Sequence, residues 1–116
     1  YAKIDKILQS NSYIAYKLTG VISQDVSQGY GLHCFDMKKA CWDEEMCELL
    51  GIPMEFLPEI CDCDHVIGSV TAKAAAKCGL SEGTPVVAGG LDAACGTLGA
   101  GVIREKRRSR VVRQAE

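Results

Sequence analysis

The sequence predicts an α/β fold, and three observations carry that prediction. Two short runs, Val66-Ile67-Gly68-Ser69-Val70 and Thr84-Pro85-Val86-Val87-Ala88, have the length and β-branched content of strands. Each precedes a helix-like segment, at 72–77 and 91–101. Two further helical segments and a loop occupy the first half. The order is therefore helix, loop, helix, then β-α-β-α.

The first helix is read over 3–18. Ile4, Ile7, Leu8, Asn11, Ile14, Ala15 and Leu18 recur at the three- and four-residue spacing of one helical face, and Gly20 stands just past the last turn. Residues 21–35 are rich in Ser, Gly and Gln and read as a loop with one short extended piece near 30–35. Asp43 is a cap for a second helix over 44–50, whose first turn carries Glu44 and Glu45. Met46, Leu49 and Leu50 form its expected apolar stripe, and Gly51 ends it. Pro53 and Pro58 bracket the next loop. Thr71 caps the third helix and Gly79 ends it. Residues 84–88 make a short buried strand with Pro85 near its start, where a missing N–H is tolerated. The helix over 91–101 contains Gly96, Gly99 and Gly101, which weaken it by roughly 1 kcal/mol each relative to Ala. That cost leads us to expect close packing against it.

The chain has 116 residues, enough for one domain but short for an enzyme that holds two substrates between two lobes. Hydrophobic residues make up 47% and charged residues 24%, which argues against disorder through most of the chain. No apolar run approaches the roughly 20 residues of a membrane span, and no basic-then-apolar signal opens the sequence, so no membrane role is expected. Aromatic residues are 6%, so the core must come from aliphatic residues, Ala and Cys. Residues 104–116 hold six basic and two acidic residues, against an acidic body with 7 basic and 13 acidic ones. Such a body offers no general field for nucleic acid, and no nucleic-acid partner is expected. The tail, with Val111 and Val112, is read as a solvated, disordered end.

Seven cysteines (Cys34, Cys41, Cys47, Cys61, Cys63, Cys78 and Cys95) are read as reduced thiols, which points to the cytoplasm. Cys61-Asp62-Cys63-Asp64-His65 has a Cys spacing of one residue, where zinc sites usually use two to four, and no second pair is obvious. His33-Cys34 could contribute, but nothing in the sequence brings it close. A nucleophilic Cys95 would need His33 or His65 as base, and no third orienting group can be assigned. Incidental thiols are the preferred reading of both.

The most informative segment runs from Gly83 to Gly96. A strand enters Gly89-Gly90, and Asp92 then opens a helix. Ligands of α/β sheets bind at the carboxyl ends of strands, and two glycines remove side chains that would hold a ligand off the backbone. Asp92 has two readings here: a helix cap, or a general base facing a substrate hydroxyl, with the helix N-terminus favouring the carboxylate. Spacing does not choose between them. Gly96-Thr97-Leu98-Gly99-Ala100-Gly101 is glycine-rich, but Val102-Ile103 stand where a P-loop needs Lys and then Ser or Thr. Arg104 likewise occupies the third glycine position of a dinucleotide fingerprint.

An ordered set of segments resembles the FGGY carbohydrate kinases, most of all their xylulokinase-type branch. The set is Tyr13-Ile14-Ala15-Tyr16-Lys17-Leu18-Thr19-Gly20, Asp25-Val26-Ser27, Phe35-Asp36 with Trp42-Asp43, Gly51-Ile52 with Leu57-Pro58, Ile67-Gly68-Ser69-Val70, Gly79-Leu80, and Gly83 through Asp92. The likeness covers residues 3–103. It implies part of a ribonuclease-H-like lobe of the actin-like ATPase architecture, here incomplete, and assigns 1–103 to a partial N-terminal kinase domain. Residues 104–116 then form a tail foreign to the family. The chain would be a piece of a longer kinase or the product of a truncated gene.

The resemblance further implies a sugar or polyol substrate, with a xylulose-type ketose favoured, in a cleft against a C-terminal lobe. Mg-ATP would be bound mainly by regions outside this chain. Asp92 would be the catalytic base, with Gly89 and Gly90 beside the substrate. Ala93 departs from the pattern, since xylulokinases often carry Asn and glycerol kinases Gln at that place. The chain alone is expected to be inactive and, with apolar surface exposed, to pair as a homodimer. A reading of another class is a non-catalytic module that binds a protein or RNA through its basic tail.

Overall fold

In a computed structural model, the structure describes residues 3–103. The basic tail therefore lies outside the described residues. Four helices and six short strands follow in order. Helix α1 spans Ser10–Thr19, strand β1 Ser23–Asp25, β2 Phe35–Asp36 and β3 Cys41–Trp42. Helix α2 spans Glu44–Leu50, then β4 Glu59–Cys61, β5 Val66–Ser69, α3 Ala72–Cys78, β6 Pro85–Val87 and α4 Asp92–Gly99. The strands form three two-stranded sheets: β1 with β4 in parallel, β2 with β3 antiparallel, and β5 with β6 antiparallel. The architecture is the expected α/β mixture. Among the described residues no helix is long and apolar enough to cross a membrane.

Helices whose ends are written locally fall where the sequence places them. The Asp43 carboxylate accepts from the Met46 N–H at 3.1 Å, and the Thr71 hydroxyl accepts from the Ala74 N–H at 3.3 Å. Gly20, Gly51 and Gly79 close α1, α2 and α3 in the left-handed conformation. Each cap answers a backbone group that the helix cannot satisfy itself.

Other expectations are corrected. Helix α1 begins at Ser10, not residue 3, because the preceding segment is held elsewhere: the Ile7 N–H donates to the Phe56 carbonyl at 2.8 Å and the Gln9 N–H to Gln24 Oε1 at 3.4 Å. The buried positions of α1 are Ser12 and Ala15, while Ile14 is 60% exposed. The loop expected over 21–35 contains β1, and of the piece expected to be extended near 30–35 only its end is strand, Phe35 opening β2, while a 3-10 turn occupies Gly29–Leu32. In α2 the buried residue is Cys47 and not the stripe of Met46, Leu49 and Leu50; Leu49 is 78% exposed. Strand β6 has only its central residue half-buried, which corrects the buried strand expected there. Gly96 and Gly99 have open space where a Cβ would stand, so nothing among the described residues packs tightly on α4 there.

The core has two parts. Cys34, Cys47 and Leu57 are buried together, with Leu32, Trp42 and Ile52 packed against them. Trp42 meets Phe35 edge to face at 5.5 Å, and its Nε1–H donates to the Pro58 carbonyl at 2.7 Å. That bond satisfies the indole's donor while its rings fill the core. The second part lies where α1 meets α3, β5 and β6, and buries Ala15, Val70, Ala74 and Ala88. Small residues let these elements approach closely.

Burial, then a hydrogen bond that the Cys47 thiol donates to Cys34, pushes the Cys47 thiol up from its ordinary 9.0 to about 11. The folded state thus keeps this proton where the unfolded chain releases it. Stability contributed by the neutral thiol is whole below pH 9 and is lost as pH rises toward 11. Urea midpoints measured from pH 8 to 11 should fall across that window, and Cys47→Ala should flatten the fall.

Candidate active site around the Asp25 carboxylate and the Gly89-Gly90 loop

The site is built on a strand that carries no apolar residue. Ser23, Gln24 and Asp25 are all buried, and Asp25 is 0% exposed. A buried carboxylate is costly unless donors surround it. Here its Oδ2 accepts from Asn11 Nδ2 at 2.6 Å and from Gln24 Nε2 at 3.1 Å. Its Oδ1 accepts from the Ser27 N–H at 3.1 Å and from the Ser27 hydroxyl. The Cys63 thiol approaches the same oxygen at 3.9 Å. Among the described residues Asp25 has no cationic partner; all of its donors are neutral.

The network runs on in two directions. Gln24 Oε1 accepts from the Ser12 hydroxyl at 3.1 Å, which ties β1 to α1. Ser27 Oγ accepts from the Leu91 N–H at 2.8 Å, a contact 64 residues away in sequence. Leu91 is the N-cap of α4, and its side chain makes no cap bond. The serine therefore satisfies one of the donors that a helix start leaves open. Asn11 Oδ1 is buried with no hydrogen-bond partner among the described residues.

The Gly89-Gly90 loop lies beside this network because backbone bonds extend the β5–β6 ladder. The Ala88 N–H donates to the His65 carbonyl at 3.0 Å and the Gly89 N–H to the Cys63 carbonyl at 3.0 Å. Gly89 has φ +89°, a conformation that side chains strain. A Cβ on Gly90 would stand 3.1 Å from Cys95 Sγ and 3.6 Å from both Cys63 Sγ and Ser27 Oγ. The glycines thus serve the tight passage of the chain itself. An open, largely apolar cleft of about 400 Å³ covers the loop, walled by Ser27, Cys63, Asp64, Cys95 and Leu98. A larger depression of about 570 Å³ lies beyond the end of α2, from Glu44 to Met54, and contains none of the candidate residues.

Asp92 is the first residue of α4 and is exposed. Leu91, not Asp92, occupies the N-cap position; the Asp92 carboxylate accepts instead from the adjacent Ala93 N–H at 2.8 Å. It stands beside the cleft and is not part of its lining. The remaining candidates are dispersed. Cys61 and Cys63 face different partners: the Cys61 thiol donates to the Gln24 carbonyl at 3.6 Å, whereas Cys63 turns to Asp25 and Gly90. Burial first, then the charge of Asp25, raises the Cys61 thiol above its ordinary range, so it is a poor source of thiolate. Among the described residues no group of three His, Cys, Asp or Glu could hold a metal ion. The wall around Cys95 includes neither His33 nor His65.

In the sequence Asn11 stands out only on the face of the first helix, and Asp25 and Ser27 only within a segment of the family resemblance; none of the three is marked as a site residue. The signal that could have found them is the Asp-x-Ser turn pattern following a polar triplet between two predicted helices.

This arrangement is that of the N-terminal lobe of the actin-like ATPase fold seen in xylulose kinase structures. The chain superposes on the xylulose kinase of Rhodospirillum rubrum with a TM-score of 0.82 at 31% identity, over 89% of this chain and 21% of that one. It superposes on the gluconate kinase of Lactobacillus acidophilus with a TM-score of 0.76 at 28% identity, over 84% and 20%. The FGGY family of carbohydrate kinases, N-terminal domain, matches residues 1–99, and the chain belongs to that family. The xylulose kinase of Bacillus subtilis is 33% identical over 103 residues, 89% of this chain and 21% of that protein. An autoinducer-2 kinase of Escherichia coli is 32% identical over 104 residues, 90% and 20%. The chain thus spans about a fifth of the length of these relatives.

Gly89→Ala should lower stability by about 1–2 kcal/mol, because alanine pays the left-handed penalty at φ +89°. Denaturant unfolding of the two chains checks this. An equal midpoint would show that the loop relaxes to another conformation.

Proposed function

We propose that the chain supplies the catalytic base of an ATP-dependent carbohydrate kinase, with Asp92 as that base. The observation that carries this reading is the placement of an exposed carboxylate on the first turn of α4, directly after a strand that ends in Gly89-Gly90. Family membership supports the reaction class, since the relatives are named as kinases of xylulose, gluconate and autoinducer-2. The acceptor is a sugar or polyol hydroxyl, with a xylulose-type ketose favoured by the xylulose kinases among the relatives.

In this reading an Asp92 carboxylate oxygen takes the proton of the attacking hydroxyl as the hydroxyl oxygen bonds to the γ-phosphorus of ATP and the bond from that phosphorus to the bridging oxygen breaks, ADP leaving with the electron pair. Phosphoryl transfer depends mainly on alignment and charge neutralisation, so a base on a fixed helix start contributes by aiming the hydroxyl. Gly89 and Gly90, which the chain's own tight passage requires, also border the open cleft and stand on the substrate side in this reading. Ala93 offers the substrate no polar side chain, so hydroxyl recognition near the base falls to other parts of the whole protein.

The described residues do not fit Mg-ATP. They contain no metal-holding cluster, and the glycine-rich stretch from Gly96 to Gly99 is helix and not a phosphate-binding loop. We assign nucleotide binding to the portion of the relatives' length that this chain does not span, and we route no step through it. The chain by itself is then inactive. Residues 1–103 are assigned to the partial domain.

Asp92→Asn in the whole kinase should lower kcat by on the order of 10²–10⁴-fold and leave the KM for ATP near its original value. A coupled ADP-release assay over a panel of ketoses, polyols and aldonates reads both the loss and the preferred acceptor. Unchanged turnover would remove Asp92 from the mechanism.

A further inference from the structure

We infer that Asp25 and Ser27 are positioning residues for the base: together they set where α4 starts and so where the Asp92 carboxylate stands. The inference rests on the reading of Asp92 as base and deepens it. The geometry is a relay of hydrogen bonds. Asp25 Oδ1 accepts from both the N–H and the hydroxyl of Ser27. With its proton committed to the carboxylate, the serine oxygen presents a lone pair outward. The Leu91 N–H donates to that oxygen at 2.8 Å. Asp92 is the next residue.

Two observations make this more than a structural bond. First, the N-cap residue of α4 gives the helix start no side-chain bond of its own: Leu91 contributes none, and the Asp92 carboxylate meets the adjacent Ala93 N–H. The orientation of the helix start is therefore tied to a residue 64 positions away. Second, the anchor is rigid. Asp25 is wholly buried and held from three directions, by Asn11 on α1, Gln24 on β1 and Ser27 on the following turn. Positioning residues of this kind act through geometry, and a misplacement of about 1 Å can cost on the order of 10²-fold in rate.

The test uses the whole kinase. Ser27→Ala removes the acceptor, and Ser27→Thr retains a hydroxyl. Leu91→Pro removes the donor and sets the ring Cδ toward the serine oxygen, so the bond cannot form, at a residue whose φ of −57° suits proline. Ser27→Ala and Leu91→Pro should each lower kcat about 10–100-fold with the KM for ATP unchanged, and Ser27→Thr should recover most of the loss. In an Asp92→Asn background, Ser27→Ala should add no further loss of kcat, because both changes act on one step.

Wild-type kcat in Leu91→Pro overturns the inference even if Ser27→Ala fails to fold. So do multiplicative losses in the double variant, or a Ser27→Thr enzyme as slow as Ser27→Ala. The two readings separate cleanly. Full turnover in Asp92→Asn sinks the base assignment, whereas an inactive Asp92→Asn beside a fully active Leu91→Pro sinks only the positioning role.

Discussion

A carboxylate with no access to water is the constraint around which the first half of this chain is arranged. Removing Asp25 from solvent is unfavourable by several kcal/mol unless its lone pairs are met. They are met by donors from α1, from β1 and from the turn after β1. No single element could supply all of them, so satisfying the charge requires that α1, β1 and the turn hold one mutual position. The parallel pairing of β1 with β4, continued by the Val26 N–H to the Cys61 carbonyl at 2.9 Å, fixes the other side. The neutrality of every donor matters as well. Charge-assisted pairs would tie the carboxylate to a long flexible side chain, whereas amides and a hydroxyl on short side chains leave little freedom of position.

The second half of the chain is held to this anchor at two kinds of contact. Backbone bonds from Ala88 and Gly89 to the segment between β4 and β5 set the path of the glycine loop. The serine hydroxyl then takes up the loop's exit at Leu91. Between those contacts Gly90 passes close to two thiols and the Ser27 hydroxyl, with no room to spare for a side chain. The outcome is a helix start held in position by remote residues, with its first acidic side chain facing outward. The cysteines contribute as packing atoms: Cys34 and Cys47 fill the core, and Cys63 and Cys95 flank the loop.

Legibility in the sequence followed the range of the interactions. Asp43, Thr71, Gly51 and Gly79 act within one turn of their own helices, so α2 and α3 were readable to within a residue. The start of α1 was not, because it is decided by bonds from Ile7 and Gln9 to residues far along the chain. Strand β1 was invisible to hydrophobic periodicity because its three residues are Ser, Gln and Asp, buried through hydrogen bonds and not through apolar contact. The apolar stripe expected on α2 failed for a related reason. Its inward position is taken by Cys47, and periodicity alone cannot say which face the neighbouring elements will cover.

By itself, then, the sequence determined the α/β class, the capped helices, the glycine-ended strand and the acidic residue that follows it, since each is written in residues adjacent along the chain. Tertiary structure decided that Ser-Gln-Asp is a buried strand, that the Ser27 hydroxyl takes up the N–H of a helix N-cap 64 residues later, and that Leu91 and not Asp92 holds that N-cap position. The physical reason is that a buried polar group takes whatever partner folding brings to it, and the identity of that partner is a property of the assembled chain, not of the local sequence.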